Sequence, residues 1–391
     1  MKPPRTIAIV SGSRADYGLQ YWLIDAIHRA GDLALQLIVT GSHLSRQFGS
    51  TVDEIRRDGY PIAAEVPMIA EDDSEWAMAR STGQGVIGMA DAFKRLSPDV
   101  VVLPGDRFEI LAAAQAAMLM GIPVAHVHGG EVTEGAVDES IRHAVSKMAA
   151  LHFVSAEPYR QRLIRMGEEP SRVHTIGAPG LDHFLRTPLP SRDDLLKSLN
   201  LDPAAPFLLV TYHPATRGHA SPAEAVDQLL RALDRFEPHQ LVMTKANADA
   251  GGRTINDVLE RYAAGRKSRV ALTASLGTPK YLAAVTHAAA LVGNSSSALI
   301  EAPAVGTPAV NVGPRQQGRL RAATVIDCDE QADAIAAAIA RALDPRFKGA
   351  ATGAPPPYGR PDDAAGRMLT VLRGLDLDGL RVKRFYDGAA H

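Results

Sequence analysis

Residues 6–18 read TIAIVSGSRADYG, an apolar run that ends in a loop of small and charged residues. After this loop, apolar side chains recur with helical spacing on one face, at Leu19, Trp22, Leu23, Ala26, Ile27 and Ala30. The run itself is apolar throughout, which is typical of a strand in a sheet that is covered on both faces. The stretch therefore predicts a strand, a tight loop and an amphipathic helix, the first repeat of a parallel α/β sheet.

Apolar and β-branched runs followed by helical patterns recur along the chain. They predict a first series of strands at residues 6–10, 34–40, 100–103, 123–127, 151–155 and 173–176. A second series is predicted at residues 207–212, 240–244, 269–272, 290–293, 308–312 and 324–327. The proline-rich stretches TPLP and LDPAAP, at residues 187–190 and 201–206, separate the two series.

The fold class that this pattern indicates is α/β, with two Rossmann-like doubly wound parallel-sheet domains and a cleft between them. We expect an N-terminal domain at residues 1–187 and a C-terminal domain at residues 188–362. A C-terminal helix, within residues 363–391, is expected to pack back on the first domain. In open α/β sheets, ligands bind at the carboxyl ends of the strands, so the loops there are the candidate sites.

Composition excludes several classes of function. The 391 residues include 42 Lys and Arg against 44 Asp and Glu, a net charge of -2, which leaves no basic field to attract nucleic acid. The longest apolar candidate, residues 110–127, contains Gln115, Pro123 and His126, so no membrane span of about 18 to 20 residues is expected. The single cysteine, Cys328, fits a reducing compartment. We expect a cytoplasmic protein.

The loop at residues 11–18, SGSRADYG, connects the first strand to a helix. Free backbone N–H groups and the positive end of the helix dipole suit it to an anion, and Arg14 adds donors for a phosphate. The spacing is not G-x-G-x-x-G and no acidic residue closes the second strand, so an NAD site is unsupported. A simple tight turn explains this loop alone equally well.

The loop at residues 293–301, GNSSSALIE, is a stronger indication of a phosphate-binding site. Three hydroxyl groups follow an apolar strand there, at the start of a helix. Such a loop binds a diphosphate, and Glu301 is placed to accept hydrogen bonds from ribose hydroxyl groups. The alternative role for one serine is that of an N-cap. The next loop, GPRQQGR at residues 313–319, adds Arg315 and Arg319, for a phosphate or as solvated surface charge.

Acidic and imidazole side chains are concentrated in two segments that begin where apolar strands end. They are GDRFE at residues 105–109 and HVHGGEVTEGAVDE at residues 126–139, followed by Arg142 and His143. We expect them at one edge of the sheet, where packed carboxylates and imidazoles change each other's proton affinity. This density favours acid–base catalysis, although Asp106 alone would serve as an N-cap.

A metal site is the weaker interpretation of these residues. His126 and His128 are expected to alternate along a strand, so that their rings point to opposite faces. In the second series, YHP at residues 212–214 ends a strand and directs His213 toward the cleft, with a buried structural histidine as the alternative. The loop KANADAG at residues 245–251 contacts a sugar or only turns the chain.

The joint pattern resembles the hydrolysing UDP-N-acetylglucosamine 2-epimerases, in order and over nearly the whole chain. The matching segments are SRADY at residues 13–17, GDR at 105–107, HGGE at 128–131, DESIRH at 138–143, HP at 213–214 and GNSS at 293–296. The resemblance implies a GT-B fold. It also implies conversion of a nucleotide-linked 2-acetamido glucose-type sugar into the free manno-configured sugar and a nucleoside diphosphate, in bacterial sialic or related nonulosonic acid synthesis.

The resemblance further implies roles for individual residues. Its catalytic positions are Asp106, Asp138 and His213, its nucleotide-binding positions are Arg14, Ser295, Ser296, Glu301 and Arg315, and its sugar-side positions are Arg107 and Asn247. Many members have Glu where this chain has His128, although another branch of the family has His. The further acid or base is therefore either His128 or Glu131.

The expected reaction begins with departure of the diphosphate, because the C2 hydrogen of an acetamido sugar is poorly acidic until positive charge develops at C1. Asp106 or a neighbour then removes that hydrogen. Water adds to the resulting glycal while C2 is protonated from the opposite face. We expect no redox cofactor and no metal. The expected partners are a UDP- or GDP-linked sugar and further copies of the chain in a homodimer or homotetramer, without nucleic acid or membrane.

UDP-N-acetylglucosamine is the expected substrate, with N-acetylmannosamine and UDP as products. The alternative within the family is a UDP- or GDP-linked 2,4-diacetamido-2,4,6-trideoxyglucose of a legionaminic-type pathway. A GT-B glycosyltransferase would share the fold and the nucleotide site without needing several acids near C2. A non-catalytic sensor of nucleotide sugars would not need the acidic cluster at all.

Overall fold

The computed structural model describes residues 4–45, 51–70, 74–133, 137–214, 221–246, 251–351, 353 and 355–388. Its contacts divide the chain into two units, the first made of Met1–Asp182 with Asp362–His391 and the second of His183–Pro361. The first unit ends before the boundary expected at residue 187, because Phe184 and Leu189 pack against an apolar cluster of the second unit.

Among the described residues of the first unit, seven parallel strands form one sheet in the order β3-β2-β1-β4-β5-β6-β7. The strands are β1 Arg5–Ser11, β2 Leu33–Thr40, β3 Ile62–Val66, β4 Val100–Pro104, β5 Val124–Val127, β6 Leu151–Val154 and β7 Val173–Thr175. The sequence pattern predicts all of these except β3. This strand lies at the edge of the sheet, and its exposed Glu65 interrupts the apolar run.

Both faces of this sheet are buried by helices, which explains its continuous apolar strands. Ile7 and Ile9 of β1 belong to one apolar cluster, whereas Ala8 and Val10 belong to another. The helices that follow these strands are α1 Arg14–Arg29, α2 Val52–Arg57, α3 Glu75–Leu96, α4 Phe108–Leu119, α5 Val137–Met148 and α6 Glu157–Arg165.

In the described part of the second unit, six parallel strands have the order β10-β9-β8-β11-β12-β13. They are β8 Phe207–Thr211, β9 Gln240–Thr244, β10 Val270–Thr273, β11 Ala290–Gly293, β12 Ala309–Val312 and β13 Val325–Cys328. The chain enters this unit within α7 Asp182–Arg186, and the further helices are α8 Arg192–Ser198, α9 Pro222–Leu233, α10 Gly252–Ala264, α11 Gly277–His287, α12 Glu301–Ala304, α13 Ala332–Leu343 and α14 Pro345–Ala351. The second series of predicted strands is thus a second parallel sheet.

After the second unit, the chain returns to the first as α15 Ala364–Arg373 and α16 Leu377–Arg381. The carboxylate of Asp182 accepts hydrogen bonds from the N–H groups of Ala364 and Ala365, at 2.9 and 2.7 Å, and so caps α15. Met368 is buried in the apolar cluster that α1 also joins. The C-terminal helices therefore pack on the first unit.

The first strand of each sheet is central: β1 lies between β2 and β4, and β8 lies between β9 and β11. Strand order reverses at these points, where α/β sheets open a crevice for ligands. The polar segments found in the sequence follow β1, β4 and β5 in the first unit and β8, β11 and β12 in the second. Within the part of the chain that the structure describes, none of the helices has the length and apolarity needed to cross a membrane.

Candidate active site

Arg142, on α5, is the centre of a charged cluster in the first unit. Its side chain is 2% exposed, and its guanidinium forms an ion pair with Asp106, which follows β4. It also donates to Glu139 Oε2 at 2.6 Å, to Thr133 Oγ1 at 2.7 Å and to the backbone oxygen of Glu131 at 3.1 Å. One buried guanidinium therefore holds the segments after β4 and β5 against α5.

Glu139 is the second acid bound to this guanidinium. Burial acts to raise its pKa, but the N–H of Thr133, at 2.6 Å, and the charge of Arg142 together lower it below the ordinary value. The other carboxylate oxygen lies 3.1 Å from Nε2 of His143. Glu139 is thus held as a carboxylate, and it fixes the start of α5.

The pKa of Asp138, in the first turn of α5, is shifted in the opposite direction to that of Glu139. Burial raises its pKa, and the negative charge of Asp106 raises it further, while Arg107 and Arg142 act against the rise. The structure therefore brings Asp106 and Asp138 together in different environments. Asp106 forms an ion pair with the buried Arg142, whereas the raised pKa of Asp138 means that this carboxyl group retains its proton more readily.

His128 and Glu131 form one hydrogen-bonded pair after β5. Nδ1 of His128 lies 2.7 Å from Glu131 Oε1, and Ser155 Oγ donates to the same oxygen at 2.6 Å. Because a carboxylate only accepts, Nδ1 is the donor of this hydrogen bond. Nε2 of the same ring is buried and has no hydrogen-bond partner among the described residues. The sequence left His128 and Glu131 as alternatives, and the structure makes them partners.

The alternation expected for His126 and His128 does not hold, because β5 ends at Val127 and His128 has a left-handed φ of 64°. His126 is fully buried, with Nδ1 3.0 Å from Ser146 Oγ and Nε2 2.7 Å from the backbone oxygen of Gly105. Burial lowers the pKa of His126 to about 3, which keeps the imidazole neutral. This histidine connects β4, β5 and α5 as a structural element.

Two further acids surround Arg107, and the sequence assigned a role to neither. Nε and Nη2 of Arg107 lie 3.3 to 3.4 Å from the carboxylate of Glu109, which is fully buried. Asp16 of α1 is also buried and accepts a hydrogen bond from the N–H of Gly12 at 3.1 Å. Burial raises the pKa of Asp16 to about 6, with Arg107 acting against the rise and Glu109 adding to it. Asp16 and Glu109 differ from acids on the protein surface in being buried, and the sequence motif does not reveal this burial.

Arg14 is the first residue of α1, with Ser13 as the N-cap, so the helix begins inside the stretch of residues 11–18 that the sequence pattern predicts as a loop. Its half-exposed guanidinium forms an ion pair with Glu54 of α2, with 3.3 Å between Nε and Oε2. Arg14 therefore lies at the carboxyl end of β1 and remains accessible to solvent.

Asn294 organises the loops of the second unit. The N–H of His213 donates to its Oδ1 at 2.7 Å, and its Nδ2 donates to the backbone oxygen of His213 at 2.8 Å. Gln316 Nε2 and Arg315 Nη1 donate to the backbone oxygen of Asn294, at 2.9 and 3.3 Å. This buried residue thus joins the segments after β8, β11 and β12. It brings the backbone of His213 together with Arg315 and with residues 293–301, the serine loop.

Gly293, at the end of β11, makes this junction possible. It has a φ of 143°, and a Cβ at this position would lie 1.9 Å from the backbone oxygen of Thr211 on β8. No other residue type fits so close to a neighbouring strand. The glycine of the GNSS motif is therefore required by strand packing, whatever the loop binds.

The sequence pattern predicts that the serine loop opens an α-helix directly, and this prediction is wrong. Ser295 caps a short 3₁₀ helix, Ser296–Ala298, by accepting a hydrogen bond from the N–H of Ser297 at 3.4 Å. The α-helix α12 begins only at Glu301. Capping is thus one role of Ser295, and Ser296 is the first residue of the 3₁₀ helix.

Tyr281 of α11 lies beside this loop, and nothing in the sequence singles it out. Burial raises its pKa, and the charge of Glu301 adds to the rise, whereas a hydrogen bond with Ser295 acts against it. Asn247, expected on the sugar side, lies outside the described residues. The residues that the structure describes include no group of three His, Cys, Asp or Glu side chains that could hold a metal ion.

Comparisons with known proteins identify the family of this chain. The family model described as UDP-N-acetylglucosamine 2-epimerase matches residues 25–373. The GDP/UDP-N,N'-diacetylbacillosamine 2-epimerase (hydrolyzing) of Campylobacter jejuni is 40% identical, covering 83% of this chain and 84% of the relative. The UDP-N,N'-diacetylbacillosamine 2-epimerase (hydrolyzing) of Legionella pneumophila is 37% identical, covering 88% and 90%.

The fold is that of a solved structure, the UDP-GlcNAc 2-epimerase from Neisseria meningitidis bound to UDP-GlcNAc. The TM-score is 0.79 at 16% sequence identity, covering 94% of this chain and 99% of the other. This likeness confirms the expected GT-B fold. On the family match and the two relatives, the chain belongs to the hydrolysing UDP-N-acetylglucosamine 2-epimerase family and is a hydrolysing nucleotide-sugar 2-epimerase.

Proposed function

We propose that the protein acts on a UDP- or GDP-linked 2,4-diacetamido-2,4,6-trideoxyglucose and releases the free manno-configured sugar and the nucleoside diphosphate. The Campylobacter jejuni and Legionella pneumophila relatives, both named for N,N'-diacetylbacillosamine, support this substrate. UDP-N-acetylglucosamine is the second candidate, because the family description and the Neisseria meningitidis structure name that sugar.

The observation that carries the proposed chemistry is the contrast between two neighbouring carboxyl groups. Asp106 forms an ion pair with Arg142, whereas burial and the charge of Asp106 raise the pKa of Asp138. Asp106 is thus suited to accept a proton and Asp138 to give one.

In the first proposed step, the bond between C1 and the diphosphate oxygen breaks, and both electrons leave with the diphosphate. Positive charge at C1 makes the C2 hydrogen acidic. Asp106 removes it as a proton, and the electrons of the C–H bond form the C1=C2 double bond of a glycal. The serine loop and Arg315 offer hydroxyl, N–H and guanidinium donors suited to the leaving anion.

In the second proposed step, water adds its oxygen to C1 of the glycal. Asp138 gives its proton to C2 from the face opposite to the one from which the hydrogen was removed. This addition inverts C2 and yields the free sugar. Nε2 of His128 is suited to take the proton that the water loses, because Glu131 holds the other ring nitrogen protonated. Two faces of the ring thus need separate proton carriers.

The test is turnover in deuterated water, followed by NMR, with the UDP- and GDP-linked diacetamido sugars and with UDP-N-acetylglucosamine. We expect free nucleoside diphosphate and a manno sugar with deuterium at C2, with kcat/KM about tenfold or more higher for a diacetamido substrate. The Asp106→Asn variant is the control for contaminating activity and should lose about 10² to 10⁴-fold in rate while still binding the nucleoside diphosphate.

Equal or faster turnover of UDP-N-acetylglucosamine would establish the second candidate instead. Transfer of the intact sugar to an acceptor, with hydrogen retained at C2, would contradict the epimerase mechanism altogether.

A further inference from the structure

Residues 382–388 follow α16, and two of them, Lys383 and Phe385, contact the C-terminal end of α5. The ammonium group of Lys383 donates to the backbone oxygens of Ser146, Lys147 and Ala149, at 3.3, 2.8 and 2.6 Å. The last carbonyl groups of a helix lack partners within the helix, so a cation that binds several of them acts as a cap. The C-cap of α5 therefore comes from the far end of the chain.

Glu168 keeps Lys383 at this position. Its carboxylate is 3% exposed and pairs with Lys383 at 2.7 Å, with Lys147 at 2.7 Å and with Nε2 of His152 at 2.9 Å. Burial acts to raise the pKa of Glu168, but these three partners lower it to about 2. The carboxylate is thus ionised at neutral pH and is a permanent counterion for Lys383.

A second contact seats the same segment. Gly167, just beyond α6, has a φ of 88°, and a Cβ there would lie 2.4 Å from the ring of Phe385. The N–H of Tyr386 donates to the backbone oxygen of Gly167 at 3.0 Å, and the ammonium of Lys147 lies 4.9 Å from the centre of the Phe385 ring. The bare backbone of Gly167 thus makes room for the aromatic side chain that follows Lys383.

α5 connects the contacts of Lys383 and Phe385 to the charged cluster around Arg142. Its first half carries Asp138, Glu139 and Arg142, and Ser146, one turn beyond Arg142, binds His126. A cation at the C-terminal end also offsets the negative end of the helix dipole. Fraying of the last turn would release Ser146 and loosen the turn that carries Arg142.

We propose that Lys383 is a positioning residue of the epimerase reaction, which caps α5 and thereby holds Arg142 and Asp138 in place relative to Asp106. It acts through the helix and does not contact the reacting sugar. The kinetic part of this inference rests on the proposed function, whereas the capping part stands independently.

The experiment compares Lys383→Met, Lys383→Arg and Arg384→Met. The first removes the charge and keeps an apolar stem, the second keeps the charge, and the third is a matched control at an exposed neighbour. Amide hydrogen exchange of the peptide that covers α5 is measured by mass spectrometry, together with kcat and KM for the nucleotide sugar. For Lys383→Met we expect about tenfold faster exchange in α5 and a kcat about 10 to 10²-fold lower, with KM within about twofold.

Lys383→Arg should restore most of both properties, and Arg384→Met should match the wild type. Wild-type exchange in α5 of Lys383→Met, or faster exchange spread equally over β4 and β5, would contradict the cap. Faster exchange in α5 with unchanged kcat would contradict the positioning role.

Two further results keep the test decisive. If Lys383→Met does not fold, Phe385→Ala loosens the same segment without removing a charge and should change exchange and kcat in the same direction, by less. No such change would also overturn the inference. If the wild-type protein turns over none of the nucleotide sugars, the proposed function fails, while the exchange comparison still decides whether Lys383 caps α5.

Discussion

The two units have sheets of the same design, but different interactions hold their strand-end loops together. In the first unit, buried charges are paired: Arg142 binds Asp106 and Glu139, and Arg107 contacts the fully buried Glu109. In such a cluster the protonation of each group depends on its neighbours. The loops of the first unit are therefore suited to moving protons.

In the second unit, a neutral amide is at the centre. Asn294 exchanges two hydrogen bonds with the backbone of His213 and accepts a third from Gln316. Amides and hydroxyl groups keep the same charge over the physiological pH range, so they bind an anion without titrating themselves. Under the proposed function, proton transfer and anion binding place different demands on loops of equivalent topology.

The largest effect is expected for Arg142→Met, which breaks the charged network of the first unit. It leaves the carboxylates of Asp106 and Glu139 without the cation that they share. We expect kcat to fall about 10² to 10⁴-fold and the free energy of unfolding to fall by about 3 to 5 kcal/mol. Turnover in deuterated water and thermal unfolding measure the two.

The matched control is Arg56→Met. Arg56 also binds two carboxylates, Asp53 at 2.8 Å and Glu65 at 2.6 Å, but its side chain is half exposed. Exposed ion pairs contribute little to stability, so this variant should keep the wild-type kcat and melting temperature. Equal losses in the two variants would show that burial of the charge network is not what matters.

A smaller effect is expected for Gly293→Ala. This variant tests whether nucleotide binding by the second unit depends on the close packing of β11 against β8. The added Cβ meets the backbone oxygen of Thr211, and the φ of 143° is strained for alanine. We expect UDP or GDP binding to weaken about 10²-fold by calorimetry, with the melting temperature lowered. Gly83→Ala in α3 is the control, because a Cβ there meets nothing within 4 Å and alanine favours a helix. Unchanged affinity in Gly293→Ala would refute the role of strand packing.

The smallest effect is expected for Asp16→Asn, which tests how burial affects a charge in the first unit. Its folded pKa is about 6 against an ordinary value of 3.8, so ionisation is harder in the folded state. The stability that the protonated carboxyl contributes is fully present below about pH 4 and is lost as the pH rises through 6. Wild type should therefore lose up to about 3 kcal/mol over this window from Asp16, and the Asn variant should not.

The measurement is the difference in unfolding free energy between Asp16→Asn and wild type at pH 4, 5, 6 and 7. It should move in favour of the variant as the pH rises and level off above about pH 6 to 7. A difference that stays constant with pH would mean that burial does not raise the pKa of Asp16.

Particular residues show how far the sequence alone could lead. β4 could be predicted because Val100–Pro104 is an apolar run buried on both faces, whereas β3 could not, because Glu65 breaks the run on an exposed edge. Likewise the segment GDRFE revealed two acids near a strand end, but not that Glu109 is fully buried against Arg107. Burial is set by distant segments, and local composition does not report it.

By itself, the sequence determined the order of strands, loops and helices and the kinds of side chain that follow each strand, since these depend on local periodicity and composition. Only the tertiary structure decided which charges meet. Arg142 reaches Asp106 across 36 residues, and Lys383 reaches the backbone of Ala149 across 234. It also decided that Asp138 tends to keep its proton, because a pKa depends on burial and on the charges that folding brings near.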